Sequence, residues 1–260
     1  MCEKKIKDIK SNFEEVNMFD KIINYLKNIL EQIQEINFIK IIETIINIIF
    51  PRKCGFCNQI INQEYTCQKC KKNLEYICIN EILFGKEKDF YEFCICTYSY
   101  AGIIRNKLLQ FKFKNKKYLY ETLASELLKS VNEYINQIDY VIAVPISINR
   151  YFERGYNQAE LIAKFISKKI DKKQLKYVLI KTKNNNKQSL LKYQERILNV
   201  SRAYSVLKKD KIKGKTILLI DDIYTTGATV RECSKVLKEN GAKKIIVAVL
   251  AKTQMKKYKK

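Results

Sequence analysis

The chain contains no histidine. That removes Ser-His-Asp and Cys-His catalysis, His-ligated metals and the commonest general base. Any chemistry must run on carboxylates, Lys, Tyr, Cys or a bound metal ion. Only two prolines occur, and 47% of residues are hydrophobic, so the chain reads as globular rather than disordered. There is no run of about 18 apolar residues. The greasiest stretch, Ile41 to Phe50, is interrupted by Glu43 and Asn47, which argues against a transmembrane helix. Met1-Cys2-Glu3-Lys4-Lys5 leads into no signal-type apolar core. The expected location is the cytoplasm, with the inner face of the membrane reached only through partners. Nine cysteines in that compartment read as metal ligands or free thiols more readily than as disulfides.

Acidic residues are also scarce: 27 Asp and Glu face 50 Lys and Arg, a formal net charge of +23. Residues 1–50 hold 7 basic and 8 acidic side chains, so the excess belongs to the rest of the chain. Arginine supplies only seven of the fifty cations, and Lys, Ile and Asn are heavily used. A composition bias would account for part of the charge. A solvated lysine surface and a polyanion-binding face both remain open.

Residues 1–20 read as a polar lead and 20–50 as helix. Ile22, Leu26, Ile29, Ile33 and Ile36 step by 4, 3, 4 and 3, and Ile39, Ile42, Ile46 and Ile49 continue after a change of phase. Two heptads are too few for a coiled coil. The pattern predicts an amphipathic helix packed on its own domain or on a second subunit. Pro51 ends it. Cys54-Gly55-Phe56-Cys57 and Cys67-Gln68-Lys69-Cys70 follow as C-x₂-C-x₉-C-x₂-C, a spacing that lets four thiolates wrap tetrahedrally around Zn²⁺. Four thiolates leave no open position, so such a site is structural. Cys78, Cys94 and Cys96 do not repeat the pattern and read as free thiols or remnants of a second knuckle.

From Tyr98 the pattern becomes that of an α/β domain. Tyr98 to Gly102 looks like a strand and turn, Ile103 to Lys112 and Tyr118 to Asn136 like helices, and Tyr140 to Val144 like a buried strand ending at Pro145. Arg150 and Arg154 lie in the following loop, where arginines suit an anionic group, although ordinary surface cations at a helix start fit as well. The most informative run is Ile217 to Thr229. Four apolar residues predict a buried strand, with Asp221 and Asp222 where it ends. The loop Thr225-Thr226-Gly227-Ala228-Thr229 then enters a helix. The carboxylates can accept hydrogen bonds from two adjacent ribose hydroxyls. The loop N–H groups, the Thr hydroxyls and the helix N-terminus can hold a phosphate. Gly227 admits close approach and Thr229 is the expected N-cap. Val230, Cys233, Val236 and Leu237 mark one helix face. Asn240-Gly241 ends that helix, and Ile245 to Leu250 is the next buried strand.

The run resembles the diphosphoribose-binding signature of type I phosphoribosyltransferases. Combined with the Cys₄ knuckle, Tyr-x-Tyr-x-Gly and Pro145-x₈-Arg154-Gly155-Tyr156-Asn157-Gln158-Ala159-Glu160, it is similar to the ComF/GntX family, over about residues 40 to 253. The central stretch through Lys181, Lys183, Gln188, Leu191, Arg196, Asn199, Val200, Ala203 and Tyr204 also resembles that family, in a region that forms a mobile loop in phosphoribosyltransferases. Where the family often has arginines just before the Gln-containing loop, this chain has Lys181 and Lys183.

The resemblance implies a doubly wound α/β domain with a parallel sheet over residues 98–260. A zinc-ribbon module over 51–97 and, from the apolar periodicity alone, a helical extension over 1–50 are expected before it; the first forty or so residues have no counterpart in the family. The resemblance also implies a role in competence, helping single-stranded DNA enter with a partner helicase. The ligand would be phosphoribosyl pyrophosphate or a nucleotide, with Asp221 and Asp222 on the ribose and Thr225 to Thr229 on the 5′-phosphate. Arg150 and Arg154 would lie near pyrophosphate, with Mg²⁺ bridging substrate oxygens. An accessory binder, an active phosphoribosyltransferase and a metabolite-sensing regulator all fit. Residues 20–50 are the candidate surface for a homo-oligomer.

Overall fold

The computed structural model describes residues 25, 41, 42, 44, 51–62, 64–75, 77–182 and 203–253. The chain divides into two compact units, Met1–Arg52 and Lys53–Lys260. In the first, Tyr25, Ile41, Ile42 and Thr44 are helical; the rest of the helix expected over 20–50 lies outside the described residues. Among the described residues, no helix is long and apolar enough to cross a membrane.

The second unit begins with the cysteine turns and a short helix, α1 (Gln68–Glu75). A hairpin follows, β1 (Cys78–Phe84) and β2 (Phe93–Ser99), then helices α2 (Gly102–Phe113) and α3 (Leu119–Val131). Strand β3 (Tyr140–Ala143) leads to helices α4 (Ile148–Arg154) and α5 (Gln158–Lys169) and the two-residue edge strand β4 (Lys173–Gln174). A small antiparallel pair, β5 (Leu179–Lys181) and β6 (Tyr204–Val206), precedes β7 (Thr216–Tyr224), α6 (Ala228–Glu239) and β8 (Lys244–Lys252).

One six-stranded sheet runs in the order β1-β2-β8-β7-β3-β4. Every pairing from β2 to β4 is parallel, and β1 joins β2 antiparallel at the edge. The expected parallel sheet is thus a parallel core carrying one antiparallel edge strand. The boundary drawn at 97/98 falls inside β2, whose residues pair with β8. A hairpin contributed by sequence next to the cysteine module therefore completes the main sheet.

Both faces of the sheet are covered, which is why β7 and β8 read as nearly continuous apolar runs. Leu218, Ile220, Ile246, Ala248 and Leu250 enter one core, shared with Leu123 and Leu127 of α3 and Ile162 and Ile166 of α5. Ile217, Leu219, Ile245, Val247 and Val249 enter the opposite core with Val230, Cys233 and Leu237 of α6. The two sets alternate along each strand because successive side chains point to opposite faces. Leu123 and Leu127 are fully buried, and truncating either to Ala would cost about 2–5 kcal/mol.

This winding fixes where a ligand can sit. After β3 the chain runs to β4 on one side of β3, whereas after β7 it runs to β8 on the other. α5 and α6 consequently pack on opposite faces. A crevice opens between β3 and β7 at their carboxyl ends, the switch point at which open α/β sheets take ligands.

Candidate functional site: an acid pair, a threonine loop and four cations

β7 is longer than the four apolar residues suggest. It continues through Asp221 and Asp222 to Tyr224, paired with β8 as far as Lys252. Its other neighbour, β3, pairs only up to Ala143 opposite Ile220. The carboxylates therefore stand within a strand, just past the point where its partner stops. That step leaves the β3 side of β7 open and forms the wall of a cleft. Lys112, Arg150, Arg154, Lys181, Tyr204, Asp221, Asp222, Thr225 and Thr229 line it, together with the start of the β3–α4 loop.

The two acids have different surroundings. The backbone N–H of Asp222 donates to Asp221 Oδ1 at 2.8 Å. Lys112 Nζ donates to Asp222 Oδ2 at 2.7 Å, with both side chains largely buried. Burial, and then the adjacent Asp222 charge, push the Asp221 carboxyl up to about 7, against the opposing pull of Lys112. The sign of the linkage follows. Folding favours the neutral form of Asp221, so its stabilising contribution is full below the ordinary value of 3.8 and is lost as pH rises through about 7. Thermal melts across that window should show wild type losing stability relative to Asp221→Asn as pH rises. Parallel curves for the two proteins would remove the assignment of a raised Asp221.

The loop after β7 departs from expectation at one position. Gly227, not Thr229, is the N-cap of α6, with φ 75°. Thr226 Oγ1 accepts the Ala228 N–H at 3.2 Å, capping the first turn from the preceding residue. Thr229 instead lies inside the first turn and faces the cleft. A Cβ on Gly227 would come within 2.3 Å of Tyr224 Oη, so glycine is required by the left-handed backbone and by the tyrosine beneath it.

The Arg154 to Gln158 block closes the opposite wall, and much of it works on the backbone. Tyr156 Oη donates to the Phe111 carbonyl at 2.5 Å, and Gln158 Nε2 reaches the same oxygen at 3.4 Å. Those bonds occupy a carbonyl left without an intrahelical partner at the end of α2. Asn157 Oδ1 accepts the Ala159 N–H at 3.1 Å, capping α5, while its Nδ2 donates to the Val144 carbonyl at 3.0 Å. Arg154 stacks over the Phe113 ring at 5.3 Å and donates from Nη1 to Gln158 Oε1 at 3.0 Å. Its Nε is buried without a hydrogen-bond partner. Burial, opposed by Asp222, draws the Arg154 pKa down. Lys181 lies over the Tyr204 ring at 5.3 Å, its pKa lowered by burial and then by Arg150.

Two hollows adjoin the cleft. One, of about 350 Å³, shares Lys112 and Arg154 with it and is walled by Phe113, Asn115 and Glu153. The other, of about 490 Å³, shares Pro145, Ile146, Asn157 and Lys181, and is lined mainly by apolar side chains such as Ile142, Leu175 and Leu179.

The cysteines form a separate centre. One ligand atom from each of Cys54, Cys57, Cys67 and Cys70 lies within 4.8 Å of the others, a set able to hold a metal ion. Burial alone would raise the Cys54 thiol, but backbone N–H groups of Cys67, Cys57 and Phe56 donate to it and bring it down to about 7. Gly55 passes so close to α3 that a Cβ there would meet Thr122 Oγ1 at 2.3 Å. Glu126, 1% exposed, accepts from Thr66 Oγ1 and Tyr98 Oη, both at 2.7 Å. That carboxylate ties the turn before Cys67 to α3 and β2. Cys78 is exposed, and Cys94 and Cys96 are buried on β2; none of these three belongs to the cluster.

Several known proteins resemble this chain. A family model described as "Phosphoribosyl transferase domain" matches residues 156–260, which include the Asp pair and the threonine loop. The chain is 28% identical to competence protein F of Haemophilus influenzae over 76% of this chain and 90% of that protein. It is 30% identical to competence protein ComFC of Streptococcus pneumoniae over 74% of this chain and 84% of that protein. The chain belongs to the ComF family. A second ComFC, from Bacillus subtilis, is 32% identical over 56% of this chain and 58% of that protein.

Of the family-like positions, Lys181, Ala203 and Tyr204 are described, with Lys181 and Tyr204 in the cleft wall. Lys183, Gln188, Leu191, Arg196, Asn199 and Val200 lie outside the described residues. Lys112 is the cleft residue that sequence reasoning missed. It read only as the end of a helix, and its partner stands 110 positions away in the sequence.

Proposed function

We propose that this ComF-family protein binds phosphoribosyl pyrophosphate or a nucleotide in the β3–β7 cleft and serves the handling of incoming DNA. The observation that carries the ligand assignment is the convergence of three features in one crevice. They are a carboxylate pair, a threonine loop at a helix N-terminus and four cations. Asp221 and Asp222 accept from the ribose hydroxyls. Thr225 to Thr229 and the first N–H groups of α6 take the 5′-phosphate. Arg150 and Arg154 lie on the side of a pyrophosphate. An anion at Arg154 would supply the acceptor its Nε lacks, and a buried unmatched donor costs about 1–3 kcal/mol.

The apolar hollow beside Lys181 offers room for a base or an acceptor. The acids and cations account for binding; transfer additionally requires an acceptor nucleophile at the anomeric carbon. Pyrophosphate release in the presence of nucleobases separates a transferase from a sensor. We assign the four-thiol centre to structural Zn²⁺, the ion that such a set binds tetrahedrally.

The nucleic-acid side of the proposal has its own support. Phe113, the last residue of α2, and Tyr118 are 67% and 53% exposed, and the loop between them carries Lys114, Lys116 and Lys117. Tyr151 and Phe152 are exposed on α4, next to Arg150 and Arg154. Lys116 lies 6.0 Å from the Tyr118 ring. Aromatic platforms interleaved with cations suit single strands, in which bases stack while phosphates are neutralised.

Fluorescence anisotropy with a labelled oligothymidylate is expected to show binding that weakens steeply with salt. Phe113→Ala with Tyr118→Ala should weaken it by about tenfold or more, from stacking worth about 1–3 kcal/mol per base. Salt-independent binding, or none, would remove DNA from the proposal and leave the small-molecule site standing.

A further inference from the structure

In phosphoribosyl-binding sites of this fold a divalent cation is expected beside the ligand. The carboxylate here that would face it is already committed. Lys112 Nζ sits 2.7 Å from Asp222 Oδ2, with the two side chains only 18% and 10% exposed. A divalent ion placed on Asp222 would meet an ammonium a few ångströms away, in a part-buried cleft where like charges are poorly screened. The Asp222 oxygen and the bridging cation do not fit together without displacing the lysine.

The backbone that carries the lysine is also held in place. Lys112 is the penultimate residue of α2, and both flanking residues are held. The Phe111 carbonyl accepts from Tyr156 and Gln158, and the Phe113 ring lies under Arg154. The family-like Arg154 to Gln158 block thus holds the helix end that delivers Lys112 into the cleft.

We propose that Lys112 is a ligand-contacting residue serving as the built-in cation of the site. It takes the place of the divalent metal expected to bridge the substrate oxygens beside Asp222 and makes phosphoribosyl binding largely independent of Mg²⁺. It keeps Asp222 an acceptor for a ribose hydroxyl, and its ammonium adds a point charge for the ligand's anionic oxygens. Tyr156 is the positioning residue behind it. This inference rests on the phosphoribosyl reading of the cleft.

The test is calorimetric titration of the full chain with phosphoribosyl pyrophosphate, once with excess EDTA and once with Mg²⁺. Wild type is expected to bind in both buffers with dissociation constants within about threefold. Lys112→Gln should lose about tenfold or more in EDTA, the scale of one lost charge-assisted hydrogen bond, and recover much of it in Mg²⁺. Lys112→Arg should stay near wild type in EDTA. Tyr156→Phe should follow Lys112→Gln in direction with a smaller loss. Thermal melts of the ligand-free variants report whether each folds, and the ratio between buffers is a readout that a fold defect alone does not move.

Wild type binding only with Mg²⁺ would overturn the proposal, as would Lys112→Gln matching wild type in EDTA. Wild type failing in both buffers would overturn the phosphoribosyl reading itself and this inference with it. That outcome is distinguishable because it needs no variant.

Discussion

Asp222→Asn should reduce binding of phosphoribosyl pyrophosphate by 100-fold or more, on the order of two charge-assisted hydrogen bonds at roughly 1.5–3 kcal/mol each. Two losses combine. The ribose hydroxyl loses an ionised acceptor, and Lys112 loses the partner 2.7 Å away, so its ammonium faces an amide. The fold should survive. Both side chains are largely buried, so breaking the pair should cost about 3 kcal/mol and lower the melting temperature by several degrees without unfolding the unit. β7 would keep its pairing with β8, because the ladder is made by the backbone. Calorimetry measures the first effect and a thermal melt the second. Unchanged affinity in Asp222→Asn would remove Asp222 from the ribose site, whatever the melt shows.

Removal of metal from the cysteine centre is the other large effect. Protein purified without chelator should carry one Zn²⁺ per chain by elemental analysis. Structural zinc contributes on the order of 10 kcal/mol in isolated finger peptides. Here the four thiols are drawn together by hydrogen bonds such as Cys67 N–H to Cys54 Sγ at 3.4 Å and Cys70 N–H to Cys67 Sγ at 3.5 Å. Without the ion nothing bridges the four sulfurs, and the segment from Lys53 to Glu75 loses its main constraint.

Chelation or Cys67→Ser should therefore lower the melting temperature by many degrees and open Lys69, Lys71 and Lys72 to trypsin. The sheet itself should persist, since its two cores contain many residues outside the cysteine turns. Cys57 is exposed and the other three are buried, so Cys57→Ser should be the milder variant. An absence of zinc in protein never exposed to chelator would overturn the assignment.

These two predictions locate the parts of the molecule that were legible in the sequence. The Cys₄ spacing and the strand–loop–helix after Ile217 are each contiguous and carry their meaning in local order. A knuckle spacing fixes which thiols can meet. An apolar run followed by Asp-Asp and Thr-Thr-Gly fixes a strand, a polar turn and a helix start. The α6 face of Val230, Cys233 and Leu237 was readable for the same reason, because a 3.6-residue period needs no partner to be seen. Where the local reading slipped, a neighbour in space had intervened. The Asp pair lies inside β7 because β8 continues to pair after β3 has stopped. Thr226 replaces Thr229 as the capping side chain because Gly227 turns the chain left-handed over Tyr224.

The sequence by itself determined the α/β class, the four-thiol centre and the identity of the carboxylates and threonines, because each depends on residues a few positions apart. Only the tertiary structure decided that Lys112 meets Asp222, that the Arg154 to Gln158 block holds the end of α2, and that Phe113 and Arg154 share a wall. Those contacts join segments tens of residues apart. They exist because the strand order β8-β7-β3 opens a switch point and helices on both faces close around it, and sheet order is a property of the whole chain that no single stretch of sequence carries.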